Sequence, residues 1–264
     1  MKFIFINICL TIIFCKVIAQ KLNWAFTLPI SSINYPTFKK ITQDNNGNYI
    51  AVGVLKGSYD LDFSSSSFIL DENIDGSVFI VKYDSNFNFI WAKAFGRIST
   101  LSNPNNNVLE VDNYNNIILA GTFKDTIDFA PGILVNNLIS NGVDDAYILK
   151  LNPNGDFIWI KQLGSIQNEG VNAIAIDANN SIISTGYYTS TIDMDASLNV
   201  YNLTPLSSYN SVFINCMDSL GNFKWANGYT GNNIIECISI NIDSSENIIF
   251  GGKFTNTINF DPNF

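Results

Sequence analysis

The sequence predicts an all-β fold of four-stranded antiparallel units stacked side by side, and three observations predict it. A set of landmarks, marked by Trp24, Trp91, Trp159 and Trp225, recurs every 65 to 68 residues. A period of that length means one supersecondary unit copied in tandem. Each copy holds four short runs rich in β-branched and aromatic residues, separated by Asn, Asp, Gly and Pro turns. No helical periodicity intervenes between the runs. A lone four-stranded sheet exposes two apolar faces, and stacking copies around an axis buries both, so the expected architecture is a β-propeller of about four ~66-residue repeats. An aromatic content of 13% against 14% charged residues suits the layers between such blades.

Residues 1–19 read as a signal peptide. Lys2 precedes an apolar stretch from Phe3 to Phe14, and Val17-Ile18-Ala19 offers the residues a signal peptidase reads, with Gln20 as the new terminus. The stretch is shorter than the roughly 20 residues that span a bilayer, and no later segment approaches it, so no membrane insertion is expected. Phe14 before Cys15 and Lys16 after it argue against lipid attachment. The chain is therefore expected to be secreted or displayed at the cell surface.

The third copy shows the unit most clearly. Asp145 to Leu151 is an apolar run, Asn152-Pro153-Asn154-Gly155-Asp156 a turn, and Phe157 to Gly164 a second run, which together make a hairpin. Val171 to Ile176, the turn Asp177-Ala178-Asn179-Asn180 and Ser181 to Tyr187 make another. Phe79 to Trp91 and Phe213 to Trp225 repeat the first hairpin. The second turn recurs at Asp44, Asp112, Asp177 and Asp243, a glycine follows at Gly53, Gly121, Gly186 and Gly252, and an acidic corner comes next. That corner reads Asp60-Leu61-Asp62, Asp128-Phe129-Ala130-Pro131, Asp193-Met194-Asp195 and Asn259-Phe260-Asp261-Pro262. This register places blade units at about 21–55, 77–123, 145–187 and 211–254, with residues 20–264 as one repeat region. A ring of four to eight blades is usual. Three full units and one lacking a strand imply an open or partial ring, a piece of a larger propeller, whose unpaired terminal strands are edges through which copies can associate.

Composition excludes several functions. The net charge is −9, and removing Lys2 and Lys16 with the signal takes it to −11, a surface that repels nucleic acid and anionic lipid. With no histidine, Ser-His-Asp and Cys-His nucleophiles, imidazole zinc sites and histidine general bases are all unavailable. Any catalysis would run on carboxylates, Tyr or Lys. Cys216 and Cys237 fall on what reads as the first and third strands of one blade, about two strand spacings apart and beyond disulfide reach, so two separate buried thiols are expected.

The recurring order of Asp-x-x-Gly-Asn, Gly-x-Phe, Asp-Phe-x-Pro and Gly-x-Phe-x-Trp over residues 21 to 264 resembles the SBBP family of β-propeller repeats. The resemblance implies an exported or surface propeller of Bacteroidetes-type bacteria, often followed by a type IX secretion sorting domain, and it brings no catalytic residues to carry over.

Each polar motif carries a functional reading and an architectural one. The turns Asp44-Asn45-Asn46-Gly47-Asn48 and Asp177-Ala178-Asn179-Asn180 space oxygen atoms as calcium loops do, but Asp and Asn also stabilise hairpin turns through nearby amides. No later bidentate carboxylate is shared between copies, so no metal is assigned. Asp60 with Asp62 and Asp193 with Asp195 have the form of a glycosidase acid pair, yet each is a variant of one repeated corner. Gly155 to Trp159 and Gly221 to Trp225 resemble the tryptophan-docking motif of pyrroloquinoline-quinone-type propellers, and blade packing explains them more simply, so no cofactor is assigned. The four repeat glycines mark a close approach or a bulge. Tyr187-Tyr188 and Tyr201 to Tyr209 are the expected exposed aromatic surface.

Because every polar motif is repeated and none is singular, the sequence points to a non-enzymatic scaffold that binds a protein or glycan. The competing class is a carboxylate-dependent carbohydrate-active enzyme, which requires one blade with an acid pair unlike its siblings. A pyrroloquinoline-quinone-type propeller stands behind it.

Overall fold

The computed structural model describes residues 17–18, 21–22, 36–95, 108–130, 135–207, 209–231, 233, 235–258 and 260. Most of the expected signal segment and Trp24 lie outside the described residues. Among the described residues every element is a strand. The short β1 (Val17–Ile18) pairs with β2 (Lys21–Leu22). The first large sheet is an antiparallel meander of β3 (Thr37–Gln43), β4 (Tyr49–Asp60), β5 (Ile69–Tyr83) and β6 (Phe89–Phe95).

The second sheet begins with β7 (Val108–Val111) and β8 (Ile117–Phe123). The small hairpin of β9 (Thr126–Asp128) and β10 (Asn137–Ile139) follows, then β11 (Asp145–Leu151) and β12 (Phe157–Leu163). The third repeats the plan with β13 (Glu169–Ile176), β14 (Ile182–Tyr188), the small hairpin β15 (Ile192–Asp193) and β16 (Asn202–Leu203), β17 (Ser211–Met217) and β18 (Phe223–Tyr229). A fourth sheet holds β19 (Ile235–Ile242) and β20 (Ile248–Phe254) among the described residues.

The fold is thus all-β with four-stranded antiparallel sheets, but the sheets are offset by half a repeat from the units read in the sequence. The hairpin of β11 and β12 pairs with β8, which precedes it, and does not join the hairpin of β13 and β14 that follows. Each sequence unit therefore straddles two sheets. The cause lies in the connections. Residues 124–144, between β8 and β11, look like a linker, but their own hairpin closes the gap and keeps both strands in one sheet. The brief 164–168 connection between β12 and β13, which looks like an internal turn, carries the chain to the next sheet.

Strand alternation sends one face of each sheet to each neighbour. Ile50, Val52 and Ile80 of the first sheet meet Ile117, Leu119 and Tyr147 of the second. Ile118, Ala120 and Ile148, on the opposite face, meet Ile182 and Phe213 of the third. Ile183, Val212 and Ile214 then meet Ile235 and Ile248 of the fourth. Burying each such Ile or Phe contributes about 2 kcal/mol, and this is the main force stacking the sheets.

The fourth-strand tryptophans join neighbouring sheets. A side chain at Gly155 would lie 2.8 Å from the Trp91 ring, and one at Gly221 3.3 Å from Trp159, so each indole rests on the glycine of the next sheet's outer turn. Both glycines also have positive φ, +74° and +79°, which a β-carbon would strain. Cys216 on β17 and Cys237 on β19 are free and buried. They lie on facing sheets in one apolar layer, a correction to their placement on a single blade that follows from the half-repeat offset.

Candidate functional site

The first strand of each large sheet is an edge strand, and the four first strands converge. Lys39 and Lys40 of β3, Val108 and Glu110 of β7, Asn172 and Ile174 of β13, and Glu236, Ile238, Ser239 and Ile240 of β19 line one groove of about 800 Å³. Tyr187 and Asn210 also line it. Lys40 bridges to Glu110 at 2.9 Å and ties the first sheet to the second. Asn172 donates to the Cys237 carbonyl at 2.9 Å and ties the third to the fourth. Burial lowers the pKa of Lys39 from its ordinary value. The groove therefore presents cations on one wall, Glu110 and Glu236 on others, and amide and hydroxyl groups between, over an aliphatic floor. Such a lining suits a polar ligand with backbone-like donors and acceptors.

Groove depth depends on a bulge in the first strands. Pairing skips a residue between Phe38 and Lys40, Val171 and Ala173, and Cys237 and Ser239. The repeat glycines stand opposite: a β-carbon at Gly186 would overlap the Gly170 carbonyl oxygen at 1.8 Å, and one at Gly53 would lie 2.4 Å from the Thr37 oxygen. Glycine there lets the first strand bend toward the axis.

The repeat aspartates build turns. Asp44 and Asp112 each accept two amides on Oδ1, from the second and fourth residues after them, and an Asn side chain on Oδ2, all at 2.9 Å. Asp243 repeats this geometry, and Asp177 accepts the two amides at 2.9 and 2.6 Å. Lys82 adds a buried ion pair to Asp44 at 2.8 Å, and Lys150 one to Asp112 at 2.9 Å. Burial raises these carboxyl pKa values, but the lysine and asparagine hydrogen bonds outweigh it and hold both below the ordinary value. Their oxygens are thus engaged by protein donors.

The acidic corners are also architectural. Oδ1 of Asp60 accepts the amides of Asp62 and Phe68, Oδ1 of Asp128 those of Ala130 and Asn136, and Oδ1 of Asp193 those of Asp195 and Tyr201, all within 2.8 to 3.0 Å. Each corner clasps the tip of a small hairpin. The tyrosines separate: Tyr187 reaches the groove, whereas Tyr188 is fully buried between the second and third sheets, so the pair is not one exposed surface. Tyr201 donates to the Ala226 carbonyl at 2.9 Å and packs on Phe223, leaving Tyr209 half-exposed.

One singular polar cluster was missed in the sequence. Glu169, at the start of β13, is fully buried and accepts from the amide and hydroxyl of Ser165, whose oxygen lies 2.6 Å from that of Ser190. Asp145, also fully buried, accepts from Gln162 and from the amide of Asn141. Burial, with Asp145 and Asp144 nearby, raises the Glu169 pKa to about 6. The signal was present: this repeat position is Pro36 in the first sheet and Ile235 in the fourth. Both carboxylates are sealed from solvent, which denies them a substrate.

No family model matches the chain. Among curated proteins, it is similar to an uncharacterized WD repeat-containing protein, L264, of Acanthamoeba polyphaga mimivirus, with 26% identity covering 72% of this chain. The match spans 15% of that relative's length. WD repeats form propellers of four-stranded blades. The relative and the meander sheets together fit a β-propeller type of architecture.

Proposed function

We propose that this chain is a non-enzymatic β-propeller scaffold of SBBP-like repeats that holds a protein or glycan ligand in its axial groove, and that it works outside the cell or on its surface. The convergence of all four first strands on one polar-lined groove carries this reading. Two facts support it: the repeated acids are engaged in turns and corners, and the one singular acid cluster is buried. The export component rests on residues 1–19 alone.

Purified chain from Gln20 onward, probed on peptide and glycan arrays, should retain ligands that Ile174→Trp, filling the groove floor, releases. Turnover of a bound glycan that is abolished by Asp193→Asn would overturn the scaffold reading. Export is tested separately: the protein recovered outside the cell should begin at Gln20, and a chain lacking residues 1–19 should stay inside.

A further inference from the structure

We propose that the outer edge of β20 is a docking site for an extended strand of another polypeptide, one that carries a Phe or Tyr, then an Ile, and a Lys three residues after the ring. The site lies outside the axial groove and goes beyond the scaffold reading.

Among the described residues β20 pairs with β19 alone, and the other three sheets of the molecule show what such an edge takes. β4, β8 and β14 each pair with a third strand in one register: Gly53 faces Phe79, Gly121 faces Tyr147 and Gly186 faces Phe213. Each ring lies over its glycine, 2.7, 3.1 and 2.8 Å from where a β-carbon would stand. Ile80, Ile148 and Ile214 follow the rings and are buried. Lys82 and Lys150, three residues after their rings, reach Asp44 and Asp112 at 2.8 and 2.9 Å. In the fourth sheet Gly252 stands at the glycine position and Asp243 at the aspartate position.

The walls that hold the ring are also present. In the second sheet Tyr147 packs on Phe129 at 4.7 Å, and Phe129 lies 5.3 Å from Phe123 and 6.2 Å from Phe95, the last residue of the preceding sheet's fourth strand. Phe260, Phe254 and Tyr229 hold the same three positions in the fourth sheet. Phe260 lies 5.9 Å from Phe254 and 6.3 Å from Tyr229, and the edge-to-face angle is kept, 83° against 88°. Phe123 and Phe129 are fully buried beneath Tyr147, whereas Phe254 is 50% and Phe260 54% exposed. Walls already in place leave little ordering cost for an incoming aromatic side chain.

Charge complementarity and continuity with the existing ladders select the occupant. Asp243 accepts from Ser245 and Asn247 within its own turn, and a lysine entering in the Lys82 and Lys150 register adds the cation that Asp44 and Asp112 have. The isoleucine falls on the face of Ile249, which is 57% exposed. Main-chain hydrogen bonds along the β20 edge supply affinity, and the ring and lysine supply specificity.

The test titrates the purified full chain, by anisotropy, into a fluorescent peptide of residues 145–163, which carries Tyr147, Ile148 and Lys150. The peptide should bind, and Tyr147→Ala or Lys150→Glu in the peptide should each weaken it at least about tenfold. In the chain, Phe254→Ala with Phe260→Ala should do the same. Asp243→Asn, which keeps the oxygen that closes the turn, should weaken the parent peptide and spare the Lys150→Glu peptide. Asp84→Asn, on an outer turn, and Ile174→Trp, in the groove, should leave binding unchanged. Circular dichroism spectra matching the parent establish folding, and a benzophenone in place of the Tyr147 ring should cross-link to the fragment holding Phe254 and Phe260.

Equal binding of the Tyr147→Ala peptide, no loss from the Phe254 and Phe260 variant, or cross-linking elsewhere overturns the inference. Binding seen only after removal of residues 1–19 would make that segment the occupant and overturn it, as would a dimer that the Phe254 and Phe260 variant dissociates. If Ile174→Trp alone abolishes binding, the groove is the contact, this inference fails and the scaffold reading stands.

Discussion

The joint between the second and third sheets and the joint between the third and fourth use the same repeat positions and are held by different means. At the former, Lys150 bonds both Asp112 and the Ser219 carbonyl of the next sheet, Asn113 bonds Asn180 and the Ala178 carbonyl, and Trp159 rests on Gly221. At the latter, the lysine position is Cys216 and the asparagine position is Ala178. Ile118 and Ile183, each facing the next sheet, are buried, while their counterpart Ile249 on β20 is 57% exposed. An isoleucine on a central strand is therefore not buried by its own sheet. Burial comes from the neighbour, and the polar latches of one joint are not repeated at the next.

The largest effect that sharpens this contrast is Lys150→Ala. It leaves Asp112 buried and unpaired and should cost about 3 to 5 kcal/mol in urea unfolding of the purified chain. The exposed pair Lys253–Glu236, at 3.1 Å on the fourth sheet, should lose under about 0.5 kcal/mol on Lys253→Ala. A comparable loss at both sites would break the distinction between a buried pair at a joint and an exposed pair within one sheet.

Next in size is the apolar pair. Ile118→Ala should cost about 3 kcal/mol by transfer plus cavity, whereas Ile249→Ala should cost under about 1 kcal/mol in the same assay. Equal costs would mean that the exposed face of β20 is covered in solution.

The third effect depends on pH and belongs to the joint between the second and third sheets alone. The Glu169 pKa is raised to about 6 in the folded chain. The protonated carboxyl is favoured by folding, so its stabilisation is complete below the unfolded value and is lost as pH rises through about 6. Between about pH 4.5 and 6.5 the chain should lose about 2 kcal/mol that Glu169→Gln does not lose, measured by urea midpoints across the range. Asp44 and Asp112 act oppositely: their lowered pKa values stabilise above the ordinary carboxylate value, and that contribution disappears on acidification below it. Identical pH profiles for parent and Glu169→Gln would remove Glu169 from the account.

Much of the local construction was legible. Asp44, Asp112 and their counterparts announce turns because a carboxylate two residues before an amide makes an Asx turn whatever lies beyond it. The groove was not legible. Lys40, Glu110, Asn172 and Glu236 are far apart in the chain and meet only because four first strands share an axis. Glu169 could have been flagged by comparison with Pro36 and Ile235, but its burial depends on the 164–168 connection folding against β13.

The sequence by itself determined the period, the strand character of each run, the turn chemistry and the recurring tryptophans, since each depends on neighbours within a few residues. Only the tertiary structure decided which hairpins share a sheet, where the groove lies and which acids are sealed. Strand pairing is chosen by packing between sheets: the longer 124–144 connection folds back on itself to join two strands of one sheet, while the brief 164–168 connection crosses to the next. The energy that decides between those two pairings is spread over contacts distant in sequence, and no local pattern records it.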